Sequence, residues 1–216
     1  MMITDIIFSL LAIGFIGFLI FLCFKYPDDE PRNIAVYSGS FNPIHIGHKV
    51  VIDYLSNEYD WVYVIVTPQN PLKDAIEVPS EERRKAVERA IINNGYLNVT
   101  VNDIENTLNP PYYTVNTLRK LKEQEPNNNF KLVMGADCLE EIKNWKSYQD
   151  ILTDFGVIVF PRGEVDANQL KRHSLMLHRE NPNYKIKIAN IKTPNVSSTE
   201  IREARKKGED VNYLTM

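Results

Sequence analysis

Apolar and polar positions divide the chain into two regimes. The first is one uninterrupted run. Ile6 to Phe24 (IIFSLLAIGFIGFLIFLCF) contains 19 residues without a charge. At about 1.5 Å rise per residue, a helix of that length spans roughly a 30 Å hydrocarbon layer. The run is apolar on every face, which separates it from an amphipathic surface helix. A cleaved signal peptide fits poorly, because MMITD has no Lys or Arg and no Ala-x-Ala-like site follows. Lys25 and Arg32 follow the run and no basic residue precedes it, so the positive-inside tendency puts the remainder on the cytoplasmic side. The expectation is a single-pass membrane helix within residues 1–25. The alternative is a buried core helix in a cytoplasmic protein.

The second regime begins after a polar linker, residues 26–32 (YPDDEPR), which holds two prolines. From Asn33 to the end, short apolar runs alternate with helical periodicity. Strands are expected at Ile34–Tyr37, Trp61–Val66, Leu97–Val101, Phe130–Met134, Val157–Phe160 and Tyr184–Ile188. Helices are expected at His48–Glu58, Ser80–Asn93, Thr114–Gln124, Leu139–Leu152, Ala167–Arg179 and Ser198–Lys207. Ser80 is a candidate cap, and Glu81 and Glu82 suit the positive helix end. Trp61–Val66 (WVYVIV) is continuously apolar, as befits a strand buried on both faces. Strands alternating with helices build βαβ units, hence an α/β domain over residues 33–216 with a parallel sheet and helices on both faces. Ligands of such sheets bind outside the carboxyl ends of the strands.

Composition then removes several function classes. The 216 residues carry a net charge of −3, so no basic excess is available for nucleic-acid backbones. Cys23 and Cys138 are the only cysteines, too few for a disulfide framework or a multi-cysteine zinc site.

The chemistry concentrates at two helix starts. The first strand runs into Ser38-Gly39-Ser40-Phe41-Asn42-Pro43-Ile44-His45-Ile46-Gly47-His48. Two histidines at the mouth of a helix, with Gly39 allowing a sharp turn and Gly47 allowing close approach of a ligand, suit a phosphate group. A metal at the histidine pair is the competing reading, but no third ligand is close in sequence. No GxxxxGK[ST] occurs, which excludes a P-loop. Near the C-terminus, Val196-Ser197-Ser198-Thr199-Glu200-Ile201-Arg202 opens a second helix with three hydroxyl residues and an arginine one turn on. Read alone, that segment is equally an ordinary cap with a solvated arginine. His173 and His178, in a polar helix, are expected to face solvent. REARKK is expected to be a solvated helix end.

GSFNPIHIGH together with SSTxIR resembles the His-x-Gly-His nucleotidyltransferases. Pro68-Gln69-Asn70-Pro71-Leu72-Lys73, Tyr113-Thr114-Val115-Asn116-Thr117-Leu118, Gly135-Ala136-Asp137 with Trp145 beyond, and Pro161-Arg162-Gly163 narrow the likeness to bacterial nicotinate-nucleotide adenylyltransferases. The resemblance runs from about Asn33 to Leu214. It implies a Rossmann-like sheet and the joining of nicotinate mononucleotide and ATP into nicotinate adenine dinucleotide and pyrophosphate, with Mg²⁺ accompanying ATP. By the same resemblance, His45 and His48 contact the ATP phosphates. Gly39, Ser40 and Phe41 lie under the nucleotide, and Gly135 and Asp137 floor its ribose and adenine region. Ser198, Thr199 and Arg202 clamp the triphosphate, and Lys73 lies near the phosphates of both substrates. Thr114 and Trp145 belong to the mononucleotide site, where Trp145 stacks on the pyridine ring. Arg84 matches a helix arginine of the family.

The catalytic set so implied is His45, His48, Lys73 and Arg202, with no protein-held metal. Asn42 and Asn116 stand where the family usually has Asp. The family usually continues beyond the Tyr213-Leu214 region with another helix, so the C-terminal edge is expected to be less covered. The alternatives are a sister enzyme, either a phosphopantetheine adenylyltransferase or a cytidylyltransferase, or a non-catalytic nucleotide sensor anchored to the membrane.

Overall fold

In the computed structural model, which describes residues 30–69, 76–161 and 167–216, six strands form one sheet: β1 (Asn33–Gly39), β2 (Trp61–Val66), β3 (Val99–Val101), β4 (Asn129–Gly135), β5 (Val157–Phe160) and β6 (Ile186–Ile188). Their order is β3-β2-β1-β4-β5-β6, and every pairing is parallel. The order reverses at β1, between its neighbours β2 and β4. This switch point opens a crevice at the carboxyl ends of β1 and β4.

The period-2 alternation of side chains assigns the two faces. Ile34 and Val36 of β1, Phe130, Leu132 and Met134 of β4, and Val157 and Val159 of β5 belong to one core cluster. It is covered by α3 (Thr114–Gln124), through Val115, Leu118 and Leu121, and by α4 (Ala136–Glu140) and α5 (Ala167–Glu180). Ala35, Val62, Val64, Val133, Ile158 and Phe160 point to the opposite cluster. Its cover is α1 (Ile46–Glu58), through Val51, Ile52 and Leu55, and α2 (Ser80–Asn93), through Val87, Ala90 and Ile91. A third, smaller cluster seats α6 (Ser198–Lys206) through Val196, Ile201 and Val211. The expected α/β sheet with helices on both faces is present.

Several boundaries differ, each for a local reason. The helix expected over Leu139–Leu152 is broken. Beyond α4 the chain makes a 3₁₀ turn at Ile142–Asn144, which Trp145 N–H closes on the Ile142 carbonyl at 2.9 Å. Ser147 then takes a left-handed conformation (φ 49°) that no α-helix continues through. Helical backbone resumes at Tyr148–Asp150 and continues as a π-turn at Ile151–Phe155. Expected strand Leu97–Val101 shrinks to β3, because only Val99–Val101 pair with β2, and Leu97 is left 93% exposed. Ser80 does not cap α2: Pro79 holds the cap position and no side chain bonds there. The C-terminal residues are also docked. Thr215 forms an antiparallel bridge with His45, and Met216 packs against the α1–α2 cluster.

The span expected at residues 6–24 lies outside the described residues. Among the described residues no helix is long and apolar enough to cross a membrane.

Candidate active site

The carboxyl edge of β1 delivers the first histidine motif. Asn42-Pro43 is a cis peptide, and the sharp reversal falls at Phe41 (φ 45°) rather than at Gly39, where it was expected. Gly39 has another use: a Cβ there would lie 3.2 Å from the Phe41 ring. Phe41 is buried and packs against His48 with ring centroids 4.9 Å apart, so the loop supports the imidazole from below.

His45 and His48 cap α1 reciprocally. Gly47 N–H donates to His45 Nδ1 at 3.1 Å, and His45 N–H donates to His48 Nδ1 at 3.1 Å. The two rings stack at 3.7 Å. A nitrogen that accepts a hydrogen bond carries no proton, so both neutral imidazoles hold theirs on Nε2. The backbone thus fixes two Nε2–H donors at a helix N-terminus, where the helix dipole already favours an anion. Gly47 is needed for the cap itself. A Cβ there would sit 2.9 Å from the His45 ring, so the expected close approach is by His45 and not by a ligand.

The second motif closes on the first. Ser197 caps α6 in a capping box with Glu200. Ser198 Oγ donates to the Pro43 carbonyl at 2.9 Å, and Arg202 Nη1 donates to the Asn42 carbonyl at 2.7 Å. Arg202 Nη2 also reaches Thr199 Oγ1 at 3.2 Å. The arginine is therefore held against the histidine loop rather than solvated. A cleft of about 1230 Å³ collects His45, His48, Ser198, Thr199 and Arg202 with Asp137. Gly39, Ser40, Phe41 and Gly135 complete that set of expected nucleotide contacts. Arg205 and Lys206, expected to be a solvated helix end, line it as well, one turn beyond Arg202 on the same face of α6.

A second chamber of about 210 Å³ shares Tyr37, Ser38, Gly39, Ser40 and Gly135 with the cleft and contains Thr114 and Trp145. The structure thus brings the expected mononucleotide residues next to the expected nucleotide residues. Lys73, like Arg162 and Gly163, lies outside the described residues. No group of three or more His, Cys, Asp or Glu among the described residues could hold a metal ion.

A family model described as cytidylyltransferase-like matches residues 36–204. A probable nicotinate-nucleotide adenylyltransferase of Flavobacterium johnsoniae is 33% identical over 185 residues, covering 84% of this chain and 90% of its own. The one from Bacteroides fragilis is 37% identical over 185 residues, covering 83% and 85%. The chain belongs to the nicotinate-nucleotide adenylyltransferase family. Two solved structures share the fold. The Plasmodium falciparum nicotinic acid mononucleotide adenylyltransferase complexed with NaAD superposes with a TM-score of 0.65 at 23% identity, over 84% of this chain and 87% of that one. The same enzyme complexed with APC gives 0.64 at 24% identity, with the same coverage.

Two buried charges of this family member were not singled out from its sequence. The first is Arg83. Arg84, the expected helix arginine, is instead a surface group paired with Glu81 at 2.8 Å and with Glu88. Arg83 is 2% exposed and donates to four carbonyls: Ser40 at 2.5 Å, Val78 at 3.0 Å, and Thr67 and Pro68 at 3.1 Å. It ties the loop after β1 to both sides of the segment that carries Lys73. Its signal was helical periodicity, since Arg83 falls on the buried face with Val87, Ala90 and Ile91. The second is Glu105, at a 3₁₀ turn (Ile104–Thr107) started by the Asn102 side chain, which accepts from Ile104 N–H at 2.9 Å. Glu105 lines the second chamber. Thr117 Oγ1 donates to its Oε1 at 2.8 Å, while its Oε2 is buried without a hydrogen-bond partner. Such a short turn offers no periodicity from which burial could be read. His173, expected to face solvent, is half-buried, and its Nε2 lies 3.1 Å from the Leu139 carbonyl.

Burial raises the Glu105 pKa above the usual carboxyl value, and the Thr117 and Thr67 hydroxyls offset part of the rise. A raised native pKa means that the folded state holds the proton more tightly than the unfolded chain. The stability this gives is complete below the unfolded carboxyl pKa and is lost as pH rises through the native value. Glu105→Gln, which has no proton to lose, should match the parent protein in acid and exceed it in melting temperature at neutral pH. Thermal denaturation across pH checks this, and a variant that is less stable at neutral pH would contradict it.

Proposed function

We propose that this chain joins nicotinate mononucleotide and ATP into nicotinate adenine dinucleotide and pyrophosphate, a step of NAD biosynthesis. The observation that carries the reading is the pair of adjoining spaces. One is lined by the fixed Nε2–H imidazoles and Arg202, and the other by Thr114 and Trp145, with Gly39, Ser40 and Gly135 as their shared wall. The family relationship supports the same activity.

In this reading ATP occupies the large cleft with its α-phosphate beside His48, and the mononucleotide sits in the smaller chamber with its ring on Trp145. The attacking group is a phosphate oxygen, ionised at neutral pH, so no general base is required. It bonds to the α-phosphorus while the bond to the bridging oxygen breaks, and the electron pair leaves with pyrophosphate. The work of the protein is alignment and charge stabilisation. His45 and His48 donate Nε2–H to phosphate oxygens. The Arg202 guanidinium, with its first hydrogen bonds already made to Asn42 and Thr199, has further N–H groups for the β- and γ-phosphates. Arg205 and Lys206 add positive potential at the rim, and Lys73 acts near the phosphates of both substrates. Mg²⁺ fits as a companion of the triphosphate, held mainly by its oxygens and by water, since the described donor set offers no carboxylate cage.

The apolar run at residues 6–24 supports a further location for this chemistry: a membrane tether ahead of a catalytic domain that begins near Asn33 and faces the cytoplasm.

Purified protein supplied with ATP, Mg²⁺ and nicotinate mononucleotide should yield dinucleotide and pyrophosphate in equal amounts, and absence of both products would refute the activity. His48→Ala should lower turnover about 10²–10³-fold, as loss of a charge-stabilising donor does, with little change in mononucleotide affinity. Near-normal turnover would remove His48 from the chemistry. Trp145→Ala should raise the KM for the mononucleotide, by about 1–3 kcal/mol of lost stacking and burial, and leave that for ATP nearly unchanged. An equal loss for both substrates would mark a purely structural tryptophan. Full-length protein should partition to membranes and resist high-salt extraction, while deletion of residues 1–30 should release an active domain. A full-length chain recovered without detergent would contradict the tether.

A further inference from the structure

The second chamber contains a buried carboxyl group with no cation paired to it. Glu105 is 3% exposed, takes one hydrogen bond from Thr117, and leaves Oε2 unpartnered. Thr67 and Thr117, the side chains that act on its carboxyl, are neutral hydroxyls. A buried carboxylate in this position is costly unless an opposite charge arrives beside it. The chamber also presents the aromatic side chains of Tyr112, Tyr113 and Trp145, while its other charged lining residue, Lys146, is exposed. Aromatic faces attract a cation through their quadrupole, and a nearby carboxylate attracts it through its charge. Together they suit a flat organic cation better than a neutral ring.

The inference rests on the activity proposed above. Nicotinate mononucleotide brings such a cation, because its ring nitrogen is quaternary. Its phosphate and carboxylate are anions, so the ring is the only part of the molecule that an unpaired carboxylate attracts. We propose that Glu105 is a specificity residue whose carboxylate reads the positive charge of the pyridinium ring from the chamber wall, favouring charged-ring mononucleotides over neutral-ring ones. The recognition is by field and needs no direct contact, which agrees with the burial of Oε2.

The test compares two ligands on two proteins. The ligands are nicotinate mononucleotide and its carbon isostere, 3-carboxyphenyl riboside 5′-phosphate, which keeps the carboxylate, ribose and phosphate but has a neutral ring. Dissociation constants are measured by calorimetry on the full chain and on Glu105→Gln, with a non-hydrolysable ATP analogue bound. The parent protein should prefer the pyridinium ligand by about ten- to a hundredfold, the size of a charge interaction over roughly 6–12 Å at an effective dielectric near 20. Glu105→Gln should bring the two ligands to within about threefold by weakening the pyridinium ligand alone, with the KM for ATP unchanged. Because the readout is a ratio of ligands on the same sample, a partly unfolded preparation does not alter it. Retention of the full preference in Glu105→Gln would overturn the proposal, as would equal weakening of both ligands. Failure of the underlying activity would show separately, as no dinucleotide from the parent protein.

Discussion

Two backbone N–H groups at the start of α1 set the chemistry of the whole cleft. Each donates to the Nδ1 of a histidine, and each imidazole is thereby left with its proton on Nε2. An imidazole that rotated freely, or that carried its proton on the other nitrogen, would present an acceptor to a phosphate and repel it. Much of the surrounding structure serves this arrangement. Phe41 packs under His48, Gly47 leaves room for the His45 ring, and Thr215 pairs with His45 from the end of the chain. Arg202 and Ser198 then bind the carbonyls of Asn42 and Pro43, so the start of α6 is registered on the histidine loop.

Two ionisable side chains, Arg83 and Glu105, are buried, and no opposite charge among the described residues acts on either. Arg83 is solvated by four carbonyls in place of water, and Glu105 by one threonine hydrogen bond and one empty acceptor. Thr67 lies between them. Its carbonyl accepts from Arg83, its N–H donates to the Gly39 carbonyl at 2.9 Å, and its hydroxyl meets Ser38 at 2.9 Å. Buried ionisable groups of this kind lower stability and cluster where a protein handles charged ligands. Arg83 joins the loop after β1, at Ser40, to Thr67, Pro68 and Val78. Glu105 contributes negative potential on the side assigned to a cationic ring.

Local pattern determined the strand and helix succession, because burial on a sheet and burial along a helix leave periods of two and of about 3.6 in the chain. Trp61–Val66, Ser80–Asn93, Thr114–Gln124 and Val157–Phe160 are found with the limits their sequence implies. The two helix-opening motifs were legible for a similar reason: caps, glycines and paired histidines act within a few residues of each other. What only the tertiary structure decided are the meetings between distant segments. The sequence holds Arg202 and Asn42 apart by 160 positions, and nothing local distinguishes an arginine that will bind that carbonyl from a solvated one. The same holds for Arg83 over Arg84, where neighbours of identical type were divided by which face of α2 meets the sheet. Glu105 became notable only when Thr67 and Thr117 closed around it and left one oxygen alone. Hydrophobic period is a property of neighbours in sequence, whereas desolvation and pairing of a charge depend on whatever the fold places beside it.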